Sequence, residues 1–206
     1  MLTKRIITVG LLSAFFISGL SFGHDDHEKE HHDSDEYKKF EQNGKISKND
    51  YQKAHQKAYE KALIEGKVLP KVKNAAWEAE CSTCHNAFHP GLLPARSWEK
   101  IMGGLDKHFG ENASLDKPTQ VEITKFLVMN SAERSNNKRS EKILSSIPTN
   151  STPLRVTEIP FIKKKHDEIP AHVFKREKVG TRSNCFACHQ TAELGYYSEK
   201  TVVIPK

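Results

Sequence analysis

Cys81-Ser82-Thr83-Cys84-His85 and Cys185-Phe186-Ala187-Cys188-His189 are two copies of one pattern, and they contain all four cysteines of the 206-residue chain. The pattern C-x-x-C-H is typical of covalent attachment of a c-type haem. On one turn of helix, positions i, i+3 and i+4 share a face, so two thiols reach the porphyrin vinyl groups while the imidazole points at the iron. We therefore predict two covalently attached haem c groups, each with its iron. The attachment residues are Cys81, Cys84, Cys185 and Cys188, and the proximal iron ligands are His85 and His189.

Cysteine pairs of this spacing also occur in zinc ribbons and in thioredoxin-like redox sites. The two pairs of a zinc ribbon usually lie about 15 to 20 residues apart. Here about a hundred residues separate them. A thioredoxin-like site needs one pair in a βαβ pattern and no histidine after it. Structural disulfides or zinc are thus the alternative to the haem interpretation.

Residues 1–23 have the organisation of a secretory signal peptide. Lys4 and Arg5 precede an apolar run over residues 6–22, and Ser21 and Gly23 supply small residues for cleavage. The alternative is an uncleaved N-terminal anchor, since the apolar run is near the lower length limit for crossing a membrane. Because haem c is attached outside the cytoplasm in bacteria, we expect the protein in the periplasm.

Two segments of different composition follow the signal-like residues. Residues 24–46 are rich in histidine and acidic residues, which predicts disorder. Four histidines among these carboxylates could hold zinc, copper or nickel, and the alternative is a solvated tail. Residues 47–76 are predicted to form an amphipathic helix and its connection, with His55 on the apolar stripe as either a packing residue or a haem ligand.

The formal charge of +6 is unevenly distributed along the chain. Residues 1–23 contribute +2 and residues 24–36 contribute −6, so residues 37–206 carry +10. A basic body of this kind favours an acidic partner or a negatively charged surface. Nucleic acid is not expected as a partner of an exported haem protein.

The rest of the chain predicts a mainly α fold of two small c-type haem domains with little β structure, helices and loops packing around the haems. The first haem domain is placed at residues 77–134 and the second at 154–206, with a linker over 135–153 that is rich in Ser, Asn, Lys, Thr and Pro. Ser97 is predicted to cap a helix bearing Trp98 and Met102.

The second axial ligand of each iron decides the chemistry, because an iron with two protein ligands transfers electrons whereas an open position can bind oxygen, peroxide or carbon monoxide. No His, Met or Cys follows His189, so the second haem must take its distal ligand from upstream, where His166 and His172 are the nearby choices. For the first haem the spacing leaves four candidates open: His89, Met102, His108 and Met129.

A longer pattern around the first motif resembles the bacterial dihaem cytochrome c family. It comprises residues 81–98, Met102-Gly-Gly-Leu105, His108-Phe-Gly110 and Asn112-Ala-Ser-Leu115. The second half is similar through Phe161, His166, residues 184–189 and Ile204-Pro205, so that the likeness spans about residues 78–205.

The resemblance implies bis-histidine, low-spin ligation, with His85 paired with His108 and His189 paired with His166. It also implies a soluble, oxygen-binding, high-spin mono-haem cytochrome c as electron acceptor, and a membrane cytochrome b or quinol oxidoreductase as donor. One residue departs from the family pattern, since His89 stands where a proline is expected.

We thus predict a periplasmic single-electron carrier and not an enzyme. The alternatives are a dihaem peroxidase or gas-binding haem enzyme with one open site, and an electron-transfer subunit of a terminal reductase.

Overall fold

The computed structural model describes the backbone of residues 48–206 and the side chains of residues 52, 53 and 56–206. The predicted signal peptide, the histidine-rich tail and the side chain of His55 lie outside the described residues. The described residues 48–206 belong to one compact unit.

The described residues form short helices joined by loops and 3₁₀ turns. Extended pairing within residues 48–206 is confined to two isolated bridges, His108 with Glu111 and His189 with Val202. The mainly α prediction is therefore confirmed. The α-helices of this range are α1 (Lys48–Ile64), α2 (Ala75–Cys81), α3 (Ala95–Met102), α4 (Lys117–Met129), α5 (Lys138–Ser146) and α6 (Pro160–Lys164).

Side-chain caps fix where several of these helices begin. The Asn74 carboxamide oxygen accepts from the Trp77 amide at 2.7 Å, and the Asp116 carboxylate accepts from the Thr119 amide at 3.1 Å. Such caps satisfy amides that have no partner within the helix. The predicted cap at Ser97 is wrong, because α3 begins at Ala95 directly after the extended residue Pro94 and Ser97 is buried inside the first turn.

One apolar core extends through the sequence on both sides of the predicted linker. Ile123 of α4, Ile143 of α5 and Ile159 before α6 are each fully buried in it. The indole Nε1–H of Trp98 donates to the Pro90 carbonyl at 2.8 Å and fixes α3 against the loop that precedes it. The linker segment thus contains a packed helix, since Ile143 buries its side chain in this core. The division into two haem domains at the stated boundaries stays a prediction.

None of the helices in residues 48–206 is both long enough and apolar enough to cross a membrane.

Candidate functional site

The first attachment motif lies where α2 ends. Cys81 is the last residue of the helix, and the Thr83 hydroxyl donates back to the Ala79 carbonyl at 3.1 Å. Cys84 and His85 follow in a turn and are exposed. The first motif therefore begins in α2 and is completed by a turn, so only Cys81 of its five residues is helical.

The second motif forms a single helical turn of its own. Cys185–Ala187 is a 3₁₀ turn, and the Cys185 carbonyl accepts from the amides of Cys188 (3.2 Å) and His189 (2.8 Å). This turn places positions i, i+3 and i+4 on one face, as the attachment chemistry requires. The Val203 amide donates to the Cys188 carbonyl at 3.0 Å and attaches the C-terminal strand-like segment to the motif.

The cysteine sulphurs of the two motifs are not bonded to one another, so neither motif contains a disulfide. Burial raises the pKa of the Cys81 thiol to about 11, with a smaller contribution from the Glu80 carboxylate. Burial likewise raises the pKa of Cys185 to about 11. Surroundings that disfavour a thiolate suit a neutral thioether sulphur and do not suit a thiolate metal ligand or redox nucleophile.

A second histidine lies beside each proximal histidine. The ring centres of His85 and His108 are 6.1 Å apart with planes inclined by 19°. The ring centres of His189 and His166 are 5.9 Å apart with planes inclined by 71°. Two imidazoles on opposite sides of one metal, with bonds of about 2 Å, have ring centres about 6 Å apart. Both pairs therefore fit an iron held between them, and we name them site 1 and site 2 in chain order.

Backbone carbonyls set the tautomer of one histidine in each site. His85 Nδ1–H donates to the Asn86 carbonyl at 2.8 Å, and His166 Nδ1–H donates to the Ile162 carbonyl at 2.8 Å. In a neutral ring this leaves the lone pair on Nε2, the nitrogen that binds metal. These bonds also fix the direction of the two rings.

The other candidates for a distal iron ligand lie in environments different from those of His108 and His166. His89 uses both ring nitrogens, since Nε2–H donates to the Pro70 carbonyl at 2.7 Å and Nδ1 accepts from the Gly91 amide at 3.0 Å. Met102 is buried in the apolar core, Met129 is half exposed at the end of α4, and His172 is exposed before a 3₁₀ turn. The structure brings His108 and His166 to the proximal rings.

Site 1 is open and its distal loop is conformationally unusual. His108 ends the 3₁₀ turn Leu105–Lys107, and Phe109 follows with φ of +55°. The Phe109 ring lies 4.7 Å from the His108 ring, and the Arg155 guanidinium lies 3.9 Å from the Phe109 ring centre. A cation over an aromatic face is attractive. Arg155 therefore connects the second half of the chain to the distal loop of site 1.

Site 2 is enclosed. Burial is the main reason that the pKa of His189 is lowered to about 4, and the charges of His166 and Arg139 add to it. The Tyr197 ring lies 5.8 Å from the His189 ring, and the Arg139 guanidinium lies 5.5 Å from the Tyr197 ring centre. Arg139 also donates to the Tyr197 carbonyl at 3.0 Å. Burial raises the pKa of the Tyr197 phenol far above its ordinary value, so Tyr197 is neutral.

Sequence reasoning missed Arg139, Arg155 and Phe109. Arg139 lies in the segment interpreted as a linker, and no pattern connects Phe109 with Arg155. The guanidinium of Arg96 donates to the Ser151 carbonyl at 2.9 Å and lies 4.0 Å from the Glu133 carboxylate.

No group of three or more His, Cys, Asp or Glu side chains within the described range is arranged to hold a bare metal ion. Two imidazoles suffice when a porphyrin supplies the remaining nitrogens. The zinc interpretation of the cysteine pairs therefore has no matching geometry among residues 48–206.

Comparisons with known proteins agree with this geometry. The family model of dihaem cytochrome c matches residues 77–197. A diheme cytochrome c from Rhodobacter sphaeroides is 41% identical, with a TM-score of 0.55, over 63% of this chain and 98% of that chain. A diheme cytochrome type c from Shewanella baltica is 38% identical, with a TM-score of 0.53, over 66% of this chain and 95% of that chain. No curated protein matches the sequence.

The chain belongs to the dihaem cytochrome c family. It carries two covalently bound haem c groups with iron and is an electron-transfer type of protein. The family resemblance of the sequence is thereby confirmed.

Proposed function

We propose that this protein is a periplasmic single-electron carrier, not an enzyme, in which both irons are low-spin and bis-histidine ligated. His85 and His108 hold the iron of site 1, and His189 and His166 hold the iron of site 2. The observation that carries the proposal is the pair of ring separations, 6.1 and 5.9 Å, each of which matches two axial imidazoles on one metal.

The chain's own residues explain why this arrangement suits electron transfer. Two fixed imidazoles leave no axial position for a substrate, so oxidation and reduction change the charge of the site without making or breaking bonds. The carbonyls of Asn86 and Ile162 hold His85 and His166 in their binding tautomers. Because those bonds fix the two rings, little rearrangement is needed when the charge changes.

Reduction of the purified protein followed by addition of carbon monoxide tests this function. We expect no change in the Soret band of the wild type, since neither iron has an open position. His108→Ala and His166→Ala should each create a high-spin haem that binds carbon monoxide. His172→Ala is the matched control at an exposed histidine, and it should behave as the wild type. Carbon monoxide binding to one haem of the wild type would favour the peroxidase or gas-binding alternative.

We further propose an acidic redox partner, specifically a soluble oxygen-binding mono-haem cytochrome c as acceptor and a membrane cytochrome b or quinol oxidoreductase as donor. The charge of +10 over residues 37–206 supports an electrostatically guided, transient encounter. The rate of electron transfer to such a cytochrome should fall steeply as ionic strength rises. A rate independent of salt would contradict this part of the proposal.

The periplasmic location is supported by the signal-like residues 1–23 and by the site of haem c attachment. Cell fractionation should recover the protein in the periplasm, and mass spectrometry should show a mature chain beginning near His24. An intact N-terminus in the membrane fraction would favour the anchored alternative.

A further inference from the structure

A segment before the family match lies against site 2. The match begins at residue 77, whereas α1 and residues 66–70, which we name the strap, precede it. The Leu69 amide donates to the Gly195 carbonyl at 3.0 Å. Gly195 has φ of +73°, and a Cβ there would lie 2.6 Å from the Leu69 carbonyl oxygen. The backbones of the strap and of the loop at Gly195 are therefore in direct contact, with no room for a side chain at residue 195.

Helix α1 extends this contact with apolar side chains. Tyr59 meets Tyr196 edge to face, with ring centres 5.8 Å apart. Ala62, Val68 and Tyr196 form a small buried cluster, with Tyr59 packed against it. The next residue, Tyr197, lies against the proximal His189 of site 2. The loop of residues 195–197 thus has the strap and α1 on one side and the iron ligand on the other.

The strap is anchored elsewhere as well. The Asn137 carboxamide, which is 4% exposed, donates to the carbonyls of Gly66 and Val68. The Pro70 carbonyl accepts from His89, four residues after the proximal His85 of site 1. With both ends held, the strap cannot move away from the Gly195 loop without losing buried hydrogen bonds, which makes it a fixed support.

We propose that α1 and the strap are a positioning element for site 2: they hold Tyr196 in place and, through the adjoining backbone, keep Tyr197 beside His189, which sets how far that iron is withdrawn from water. The proposal rests on the proposed bis-histidine ligation. A site shielded from water disfavours the more highly charged, oxidised state of its iron, so shielding raises the reduction potential. Loosening the strap should therefore lower the potential of site 2 and leave that of site 1 unchanged.

Potentiometric titration of the full haem-loaded chain tests the proposal, with each haem followed by its own electron paramagnetic resonance (EPR) signal. The two signals should differ because the ligand planes are inclined by 19° in site 1 and 71° in site 2. In Tyr59→Ala we expect a lower midpoint potential for site 2 alone. Tyr59→Leu, which keeps apolar bulk, should give a smaller shift in the same direction. If the alanine variant is not recovered, the leucine variant decides the question.

The matched control is Leu63→Ala, on the same helix but 50% exposed, which should leave both potentials as in the wild type. A merely structural role would lower stability without moving one potential selectively. Unchanged potentials in the Tyr59 variants, or equal shifts at both haems, would overturn the positioning role. A high-spin signal in the wild type would instead overturn the ligation on which it rests, so the two failures are distinguishable.

Discussion

Site 1 and site 2 are built from the same attachment pattern but differ in surroundings. In site 1 the proximal His85 is exposed and the ligand planes are nearly parallel. Two aromatic rings contact this site: the half-buried Phe88 beside His85 at 5.3 Å and the half-exposed Phe109 beside His108 at 4.7 Å. In site 2 the proximal His189 is half-buried, the ligand planes are crossed, and the Tyr197 ring lies against His189 with ring centres 5.8 Å apart. The comparison shows that the motif fixes attachment, whereas the tertiary fold decides shielding and ligand orientation.

This difference has a consequence for electron flow. An exposed ligand edge allows close approach of a partner, and a shielded iron holds its reduced state more strongly. We therefore expect external reagents to exchange electrons faster through site 1, and site 2 to have the higher reduction potential.

The largest expected effect comes from removing one haem at a time. Cys81→Ala with Cys84→Ala, and Cys185→Ala with Cys188→Ala, should each lower the covalent haem content from two to one. The second pair should also reduce the free energy of unfolding more, because His189 and Tyr197 would lose a buried partner while His85 is already exposed. Pyridine haemochrome spectra and chemical denaturation measure the two quantities. Equal loss of stability in both variants would remove the distinction between open and enclosed sites.

The next largest expected effect is a loss of stability on truncating Ile143, which tests whether the two sites share one hydrophobic core. Ile143→Ala in α5 should lower the free energy of unfolding by about 2 to 5 kcal/mol. Soret absorbance and tryptophan fluorescence should report one common transition, because the buried Ile143 lies in one core with Cys81 of the first motif and with Tyr197, which contacts His189 of the second. The partly exposed neighbour Leu144→Ala is the control and should cost less. Two separate transitions would show that residues 135–153 act as a linker after all.

A smaller effect is expected from removing the positive charge near each site, and its size should differ between the two sites. Arg139→Gln should lower the potential of site 2, because a positive charge that acts on His189 is lost and oxidation becomes easier. Arg155→Gln should lower the potential of site 1 by less, since the Arg155 side chain is 43% exposed and water screens it. It should also cost about 0.5 to 1 kcal/mol of stability through the lost contact with Phe109. Redox titration measures the two potentials, and denaturation measures the stability. A larger shift in potential from Arg155→Gln than from Arg139→Gln would contradict the predicted order.

The smallest effect concerns His89, which connects the loop of site 1 to the strap. Burial lowers the pKa of His89, so the neutral ring is favoured in the folded state. Its contribution to stability is fully present above the unfolded pKa of about 6.5 and is lost as the pH falls below that value toward the lower folded pKa. Protonated Nδ1 cannot accept from the Gly91 amide. Denaturation curves at several pH values should show less acid sensitivity in His89→Gln than in the wild type, and equal sensitivity would contradict this role.

The sequence predicts the parts of each site that are local. Attachment needs two thiols and an imidazole within five residues, so Cys81, Cys84 and His85 are recognisable without any tertiary information. The distal ligand is different, because His108 lies 23 residues from His85 and spacing alone could not separate it from Met129. The resemblance to a known family supplied the choice of His108, which stays a prediction; its ring centre lies 6.1 Å from that of His85.

Tertiary contacts explain what the sequence did not show. Arg139 reaches Tyr197 across 58 residues, and Leu69 reaches Gly195 across 126 residues. Neither contact leaves a periodic or local pattern. The predicted cap at Ser97 failed for a local reason, since the extended Pro94 begins the helix earlier and the serine side chain is buried inside it.

The EPR spectrum of the fully oxidised protein tests the central claim most directly. Parallel imidazole planes separate the energies of the two iron d orbitals that overlap the ligand π systems, whereas crossed planes leave them nearly equal. We predict two low-spin ferric signals of equal intensity, a rhombic one from site 1 with its 19° inclination and a strongly anisotropic one from site 2 with its 71° inclination. A high-spin signal amounting to one haem would contradict bis-histidine ligation at that site.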